Sequence, residues 1–244
     1  MTKIRITHRK NILKSTSQLA FTLAETLITL GIIGIVAAMT LPALIGKWHK
    51  LVTVNKLKTA YSLISQGIER AESDYGAVKD WTFRDKDDFT NKYIKPYYDV
   101  LKVYEKGDLP AGFHHYCMDG TTCDHYGSFK NAQKIILKNG MMLSMDIDTT
   151  TENYVWLTIT IDLNGLKNFS TYGKDTFIFS LDPTNEKLLP YGLGRVTGEF
   201  TNTNRDKSRK ALMSGETRSC TRAGLFCGAV IFLDNWEIKD DYPW

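Results

Sequence analysis

The spacing of hydrophobic and polar residues changes character along the chain. From Phe21 to Ile45 the residues are apolar except for a few Thr and Gly and one charge, Glu25. A helix of that length rises about 37 Å, enough to cross the roughly 30 Å hydrocarbon core of a bilayer. Basic residues precede it, which predicts a cytoplasmic N-terminus and an exported remainder. Lys47, Trp48, His49 and Lys50 follow as an interfacial anchor. From Leu51 the pattern becomes one-sided. Leu51, Val54, Leu57, Tyr61, Ile64, Ile68, Ala71 and Tyr75 recur at steps of three or four, which predicts an amphipathic continuation of the same helix. Gly76 supplies the stop. Pro42 removes one backbone hydrogen bond and predicts a kink or loosened turn near Ala38 to Pro42.

Beyond Gly76 the pattern shortens. The aromatic and charged stretch from Trp81 to Tyr104 reads as loops and short helices over a core. Lys134–Leu137 and Met141–Met145 flank Asn139-Gly140, a hairpin dipeptide. Tyr154–Asp162 alternates cleanly, and Thr176–Leu181 and Ala229–Leu233 are further strand candidates. Three or more antiparallel strands against the long helix predict an α+β fold, a helix with a membrane-spanning first half packed on an antiparallel-sheet head.

Charge sharpens the organisation. The chain has 244 residues, with 31 Lys+Arg, 27 Asp+Glu and a formal net charge of +4. Residues 1–20 hold Lys3, Arg5, Arg9, Lys10 and Lys14 and no acid, so without them the charge is 4 − 5 = −1. Those residues read as a leader, and net charge offers no argument for a nucleic-acid partner. The predicted organisation is a leader (1–20), a membrane segment (21–45), an amphipathic continuation (46–76) and an exported head (77–244). Glu25 is the odd residue, because a carboxylate inside a span is costly unless partnered. It sits one helical turn from Phe21, so a cut between Ala20 and Phe21 would create an α-amino group able to neutralise it in a bundle. The bland reading is a Glu near a helix end, shallow enough to reach water.

In the head, Cys117, Cys123, Cys220 and Cys227 all fall on the exported side, where disulfides persist. Of the three possible connectivities, the local pairs 117–123 and 220–227 are favoured. His114, His115 and His125 surround the first pair, which leaves zinc as an alternative. Asp162, Asn164 and Asp175 offer oxygens to a structural Ca²⁺, against the plainer reading of an Asx-capped turn at Gly165. Arg205, Lys207, Arg209, Lys210, Arg218 and Arg222 form a basic stretch that reads as solvated loop, with phosphate contact as the sharper alternative. The C-terminal segment Trp236–Trp244 is expected to pack back on the head, an exposed aromatic tip being the other reading. Gly-x-Ser-x-Gly, His-Glu-x-x-His and phosphate-binding glycine motifs are absent, so the sequence points to no enzyme.

Ala20-Phe21-Thr22-Leu23-Ala24-Glu25, followed by the run Thr26-Leu27-Ile28-Thr29-Leu30-Gly31-Ile32-Ile33-Gly34-Ile35, resembles the prepilin cleavage and methylation motif. The family is the type IV pilins and the related type II secretion pseudopilins. The resemblance covers about residues 15–75, and Pro42 lies where many of these helices carry a proline. Ala20 departs from the family's usual Gly before the cut. The resemblance implies that a prepilin peptidase cleaves between Ala20 and Phe21 and N-methylates Phe21. It implies that Glu25, with Thr22 nearby, registers each incoming subunit against a neighbour's amine. Implied partners are other subunits, membrane lipid and an inner-membrane assembly machinery. The implied location is the bacterial inner membrane, then a periplasmic or cell-surface filament. Cys220 and Cys227 look like the disulfide-bounded region of many pilins, and a D-x-N-G stretch recurs in pilin-like heads, some of which bind Ca²⁺. The competing reading is a membrane-tethered or secreted binding protein or enzyme that uses this segment only for export, with Val36-Ala37-Ala38 as a general secretory cut site.

Overall fold

The computed structural model describes residues 22–108, 112–124, 132–151, 154–165, 169–182, 187–193 and 205–244. Its backbone divides into two compact units between Lys47 and Trp48. A single helix, α1 (Leu23–Tyr75), contributes to both.

In the first unit, α1 is apolar on every side and its large side chains are exposed, from Leu23 at 78% through Ile33 at 62% to Ile45 at 51%. Polar groups there are satisfied by the helix itself. Thr26 Oγ1 donates to the Leu23 carbonyl at 2.8 Å, Thr29 Oγ1 to Thr26 at 3.0 Å and Thr40 Oγ1 to Val36 at 2.9 Å. Such internal pairing is what a segment surrounded by hydrocarbon requires. The helix is long and apolar enough to cross a membrane. It passes through Pro42 without interruption, losing only the N–H that would have met the Ala38 carbonyl.

In the second unit, α1 keeps the one-sided pattern. Val54, Leu57, Ile64, Ile68 and Ala71 are buried, while the ends of the expected stripe, Leu51 and Tyr75, stay exposed at 55% and 43%. Ala60 and Gly67 join the buried face. Gly76 closes the helix at φ 79°, a left-handed value that suits glycine, and its N–H reaches the Glu72 carbonyl at 2.9 Å.

Six strands form one sheet in the order β1-β3-β4-β5-β7-β8, and every neighbouring pair is antiparallel. They are β1 (Val100–Tyr104), β3 (Lys134–Leu137), β4 (Met142–Thr151), β5 (Tyr154–Asp162), β7 (Thr176–Asp182) and β8 (Lys187–Pro190). A small parallel pair, β2 (His114–Tyr116) with β6 (Phe169–Thr171), lies outside it. Short helical turns precede β1, including α2 (Lys86–Phe89). Among the described residues, two helices follow the strands, α3 (Arg205–Ser214) and α4 (Cys227–Leu233).

One sheet face supplies Ile135, Leu143, Met145, Leu157, Ile159, Phe177 and Phe179 to a common core with α1. Tyr61 of α1 sits 5.6 Å from the Phe179 ring. The opposite face is also buried but carries a polar row. Lys134, Ser144 and Thr160 face one another across three strands, each at most 2% exposed. Lys134 Nζ donates to the Ala132 carbonyl at 2.7 Å and Ser144 Oγ to the Gln133 carbonyl at 2.9 Å.

One expected strand is a helix. Ala229–Leu233 lies within α4, where Cys227 to Ile231 are buried without a break. A short apolar run buried on all sides has no period to separate strand from helix. The helix ends in a Schellman cap. Asn235 N–H reaches the Phe232 carbonyl at 3.1 Å and Trp236 N–H reaches Ile231 at 2.8 Å, with Asn235 and Trp236 at φ 58° and 62°.

Candidate functional site

Two parts of the chain concentrate chemistry: the start of α1 and the margin of the head where the cysteines meet the C-terminus. At the first, Thr22 is the N-cap of α1 and Glu25 its third residue. Glu25 N–H donates to Thr22 Oγ1 at 3.2 Å, while the Thr22 N–H and hydroxyl both donate to Glu25 Oε2 at 2.8 Å. This is a reciprocal capping box, the arrangement that Thr-x-x-Glu encodes. It gives the carboxylate local partners and draws it toward the positive end of the helix. Ala20 and Phe21, the expected cleavage pair, lie outside the described residues, as does the leader.

At the second, both local disulfides are present. Cys117 pairs with Cys123 and Cys220 with Cys227, at Cα separations of 5.1 and 4.5 Å. Sulfurs joined in a disulfide are not thiolates, so the zinc alternative for the first pair fails. His125 lies outside the described residues. The other two histidines are held by carboxylates instead. Asp124 takes His114 Nδ1 on one oxygen and the His115 backbone N–H on the other, each at 2.8 Å. The His115 ring is fully buried, 3.8 Å through Nε2 from the buried Asp162 and tilted against Tyr172 at 5.1 Å between ring centres. Burial, with the Asp162 charge nearby, pushes the Tyr172 phenol well up.

The two disulfide loops touch. Met118 N–H donates to the Ala223 carbonyl at 3.4 Å and Asp119 N–H to the Arg222 carbonyl at 3.0 Å. Gly173 lies against both, at φ 86°, where an added Cβ would meet Met118 Cε and Cys227 Sγ. The last residues complete the patch, because Tyr242 is buried and its hydroxyl donates to the Gly173 carbonyl at 2.5 Å. The tail therefore packs back on the head, leaving Trp244 38% exposed.

The structure brings Asp162, Asn164 and Asp175 together, but around protein donors. Asn164 N–H donates to Asp162 Oδ1 at 2.8 Å and the Asn164 amide to Asp175 Oδ1 at 2.5 Å. Lys56 Nζ of α1 occupies the Asn164 carbonyl oxygen at 2.9 Å. The Asx-capped turn at Gly165 is thus formed, and the Lys56 ammonium shares the Asn164 oxygen that the Ca²⁺ reading would use. Burial, then the Asp162 charge, raises the Asp175 carboxyl. Among the described residues, no group of three or more His, Cys, Asp and Glu is placed to hold a metal ion.

Two of the six cations in the expected basic stretch form a clasp, while Lys207, Lys210, Arg218 and Arg222 are exposed. Arg205 and Arg209 sit one turn apart on α3. Arg205 donates to the Leu233 carbonyl and to Asn235 Oδ1, the latter at 2.6 Å. Arg209 Nε meets both oxygens of Asp234 at 2.7 and 2.9 Å, and its two terminal nitrogens meet Asp241 at 2.8 Å. Lys239 adds a second cation to Asp234 at 2.8 Å. Residue spacing alone gave no sign of this network, because the partners come 25 and 32 residues later.

A family model matches residues 43–244, the whole of the head with the second half of α1. The chain belongs to a family of unknown function (DUF6613). No curated protein and no solved structure matches it. The DUF6613 region opens at Ala43, one residue past Pro42, so the Thr22–Glu25 cap stands outside it.

Proposed function

We propose that this DUF6613 chain is a filament subunit of the type IV pilin or type II secretion pseudopilin kind, stored in the inner membrane and assembled through α1. The observation that carries the reading is the apolar sleeve from Leu23 to Ile45. Its large side chains are half to three-quarters exposed, and none of its apolar window is buried in the folded chain. Such a surface needs lipid around it in storage and other helices around it in a bundle. The prepilin-like motif at its start and the disulfide-bonded head agree with an exported, processed subunit. In this reading a prepilin peptidase removes residues 1–20 and methylates Phe21. The Glu25 carboxylate then exchanges its Thr22 donors for the amine of a neighbour. The head travels from the inner membrane into a periplasmic or surface filament.

Mass spectrometry of the mature N-terminus tests this. N-methyl-Phe21 is the expected first residue. A chain beginning at Met1, or at Met39 after a general secretory cut, overturns the proposal in favour of a tethered or secreted binding protein.

A further inference from the structure

Within the head, a groove of about 1110 Å³ runs beside α1. Its helix wall is the polar row Lys58, Ser62, Gln66 and Arg70, one residue per turn, and its far wall holds Asp99 and Lys138. Gly67 makes room for the floor. A side chain there would strike the ring of Tyr98, whose hydroxyl donates to the Ile64 carbonyl at 3.2 Å. Three cations thus line the groove against one carboxylate. Lys138 Nζ approaches Asp99 only to 3.9 Å, with both well exposed, so this pair neutralises little of the excess. From Lys58 to Arg70 the helix rises about 18 Å, the reach of roughly five extended residues.

The chain carries its own complement. Residues 80–88 hold Asp80, Asp85, Asp87 and Asp88 against Arg84 and Lys86, and they begin just past the end of α1. Asp85 Oδ1 caps the following turn, accepting the N–H groups of Asp87 and Asp88 at 2.9 Å, so Asp88 is presented on an ordered turn and is exposed. A basic groove and an acidic turn at different places on one molecule make a head-to-tail contact, which gives a ring where the rotation closes and an open helical array where it does not. In parallel subunits shifted along α1, the end of one helix falls beside the middle of the next. From the groove's centre near Ile64 to Tyr75 the rise is about 17 Å.

We propose that the groove beside α1 seats the acidic 80–88 turn of a second copy of this chain. The parallel, shifted arrangement rests on the filament reading above; the charge match does not.

The test is zero-length carbodiimide cross-linking of the full chain at high density in lipid vesicles, mixing labelled and unlabelled copies. The expected product is an intermolecular amide from Lys58 or Lys138 to Asp85, Asp87 or Asp88. Arg70→Glu should lower its yield by about tenfold, as like charges oppose the docked turn. A paired swap, Lys58→Asp with Asp88→Lys, should restore the link between the same two positions. Intermolecular links only elsewhere, or no sensitivity to Arg70→Glu, would each overturn the proposal. If the N-terminus is methyl-Phe21 and these links are missing, the groove fails and the filament reading stands. Links without methyl-Phe21 give the reverse.

Discussion

Glu25 and Thr22 satisfy each other. One carboxylate oxygen accepts both the N–H and the hydroxyl of Thr22 at 2.8 Å, and the Glu25 N–H returns to the same hydroxyl at 3.2 Å. A capping box accepts Gln as well as Glu in this place. Glu25→Gln should therefore keep the start of α1 and its membrane insertion. If the carboxylate also meets a neighbour's amine, the same variant should lose filament assembly as completely as Glu25→Ala. Electron microscopy of filaments, beside circular dichroism of the reconstituted subunit, separates the roles. Normal assembly of the Gln variant would confine Glu25 to its own helix.

Arg209 fixes the C-terminus to α3 through Asp234, whose side chain is 3% exposed. Arg209→Ala leaves that buried carboxylate with Lys239 alone and should cost about 2–4 kcal/mol, read as a shifted urea midpoint. Arg209→Lys should recover only part, since an ammonium cannot serve Asp234 and Asp241 with a planar fork.

Each disulfide closes a short loop, with sequence separations of 6 and 7, and should contribute about 2–3 kcal/mol. Because the loops bond to each other through Met118 and Asp119, replacing both pairs with Ser should cost less than the two separate losses added. Equilibrium unfolding of the three variants checks this. Unreduced tryptic mapping checks the pairing, since cleavage at Arg222 must leave two peptides joined through Cys220 and Cys227.

Acid should first help and then harm the head. Burial raises the folded pKa of Asp175, so its proton is held more tightly than in the unfolded chain at about 3.9. Its contribution is full below that value and is lost as pH rises through the folded pKa. Asp119, bonded to Thr121, and Asp241, bonded to Arg209, are shifted the other way. Their contributions hold above about 4 and are lost as pH falls through their folded values, and being exposed they are small and salt-sensitive. Asp175→Asn should flatten the rise in stability on mild acidification and spare the later fall. Urea midpoints across the acid range measure both limbs.

The long helix, its stop at Gly76 and the strands β4, β5 and β7 were legible because their signals are local. Period, a glycine and clean alternation each act within a few residues. The hairpin strand β3 was legible too, whereas β1, β2, β6 and β8 were not. His114–Tyr116 forms β2 because Asp124 anchors it and β6 lies alongside, and neither partner is visible from a three-residue pattern. Arg209 read as part of a solvated run for the same reason, its partners being remote. Lys56 beside Asn164 shows the converse. The oxygens of Asp162, Asn164 and Asp175 suggested a cation site, and Asn164 alone accepts from an ammonium, carried by a helix residue 108 positions away.

Tyr61 stands early in the chain, yet its hydroxyl closes on the Leu188 carbonyl, 127 residues later, and its ring rests against Trp236 near the far end. The sticky side of α1 in the head is thus completed by the segments that leave the ribosome last. Until they arrive, Tyr61 lacks its Trp236 neighbour, while Leu57 and Ile64 already share a core with the sheet residues. A chain clipped before Trp236 would leave Tyr61 short of that cover. Such a copy would offer more apolar surface for chaperones and proteases to recognise.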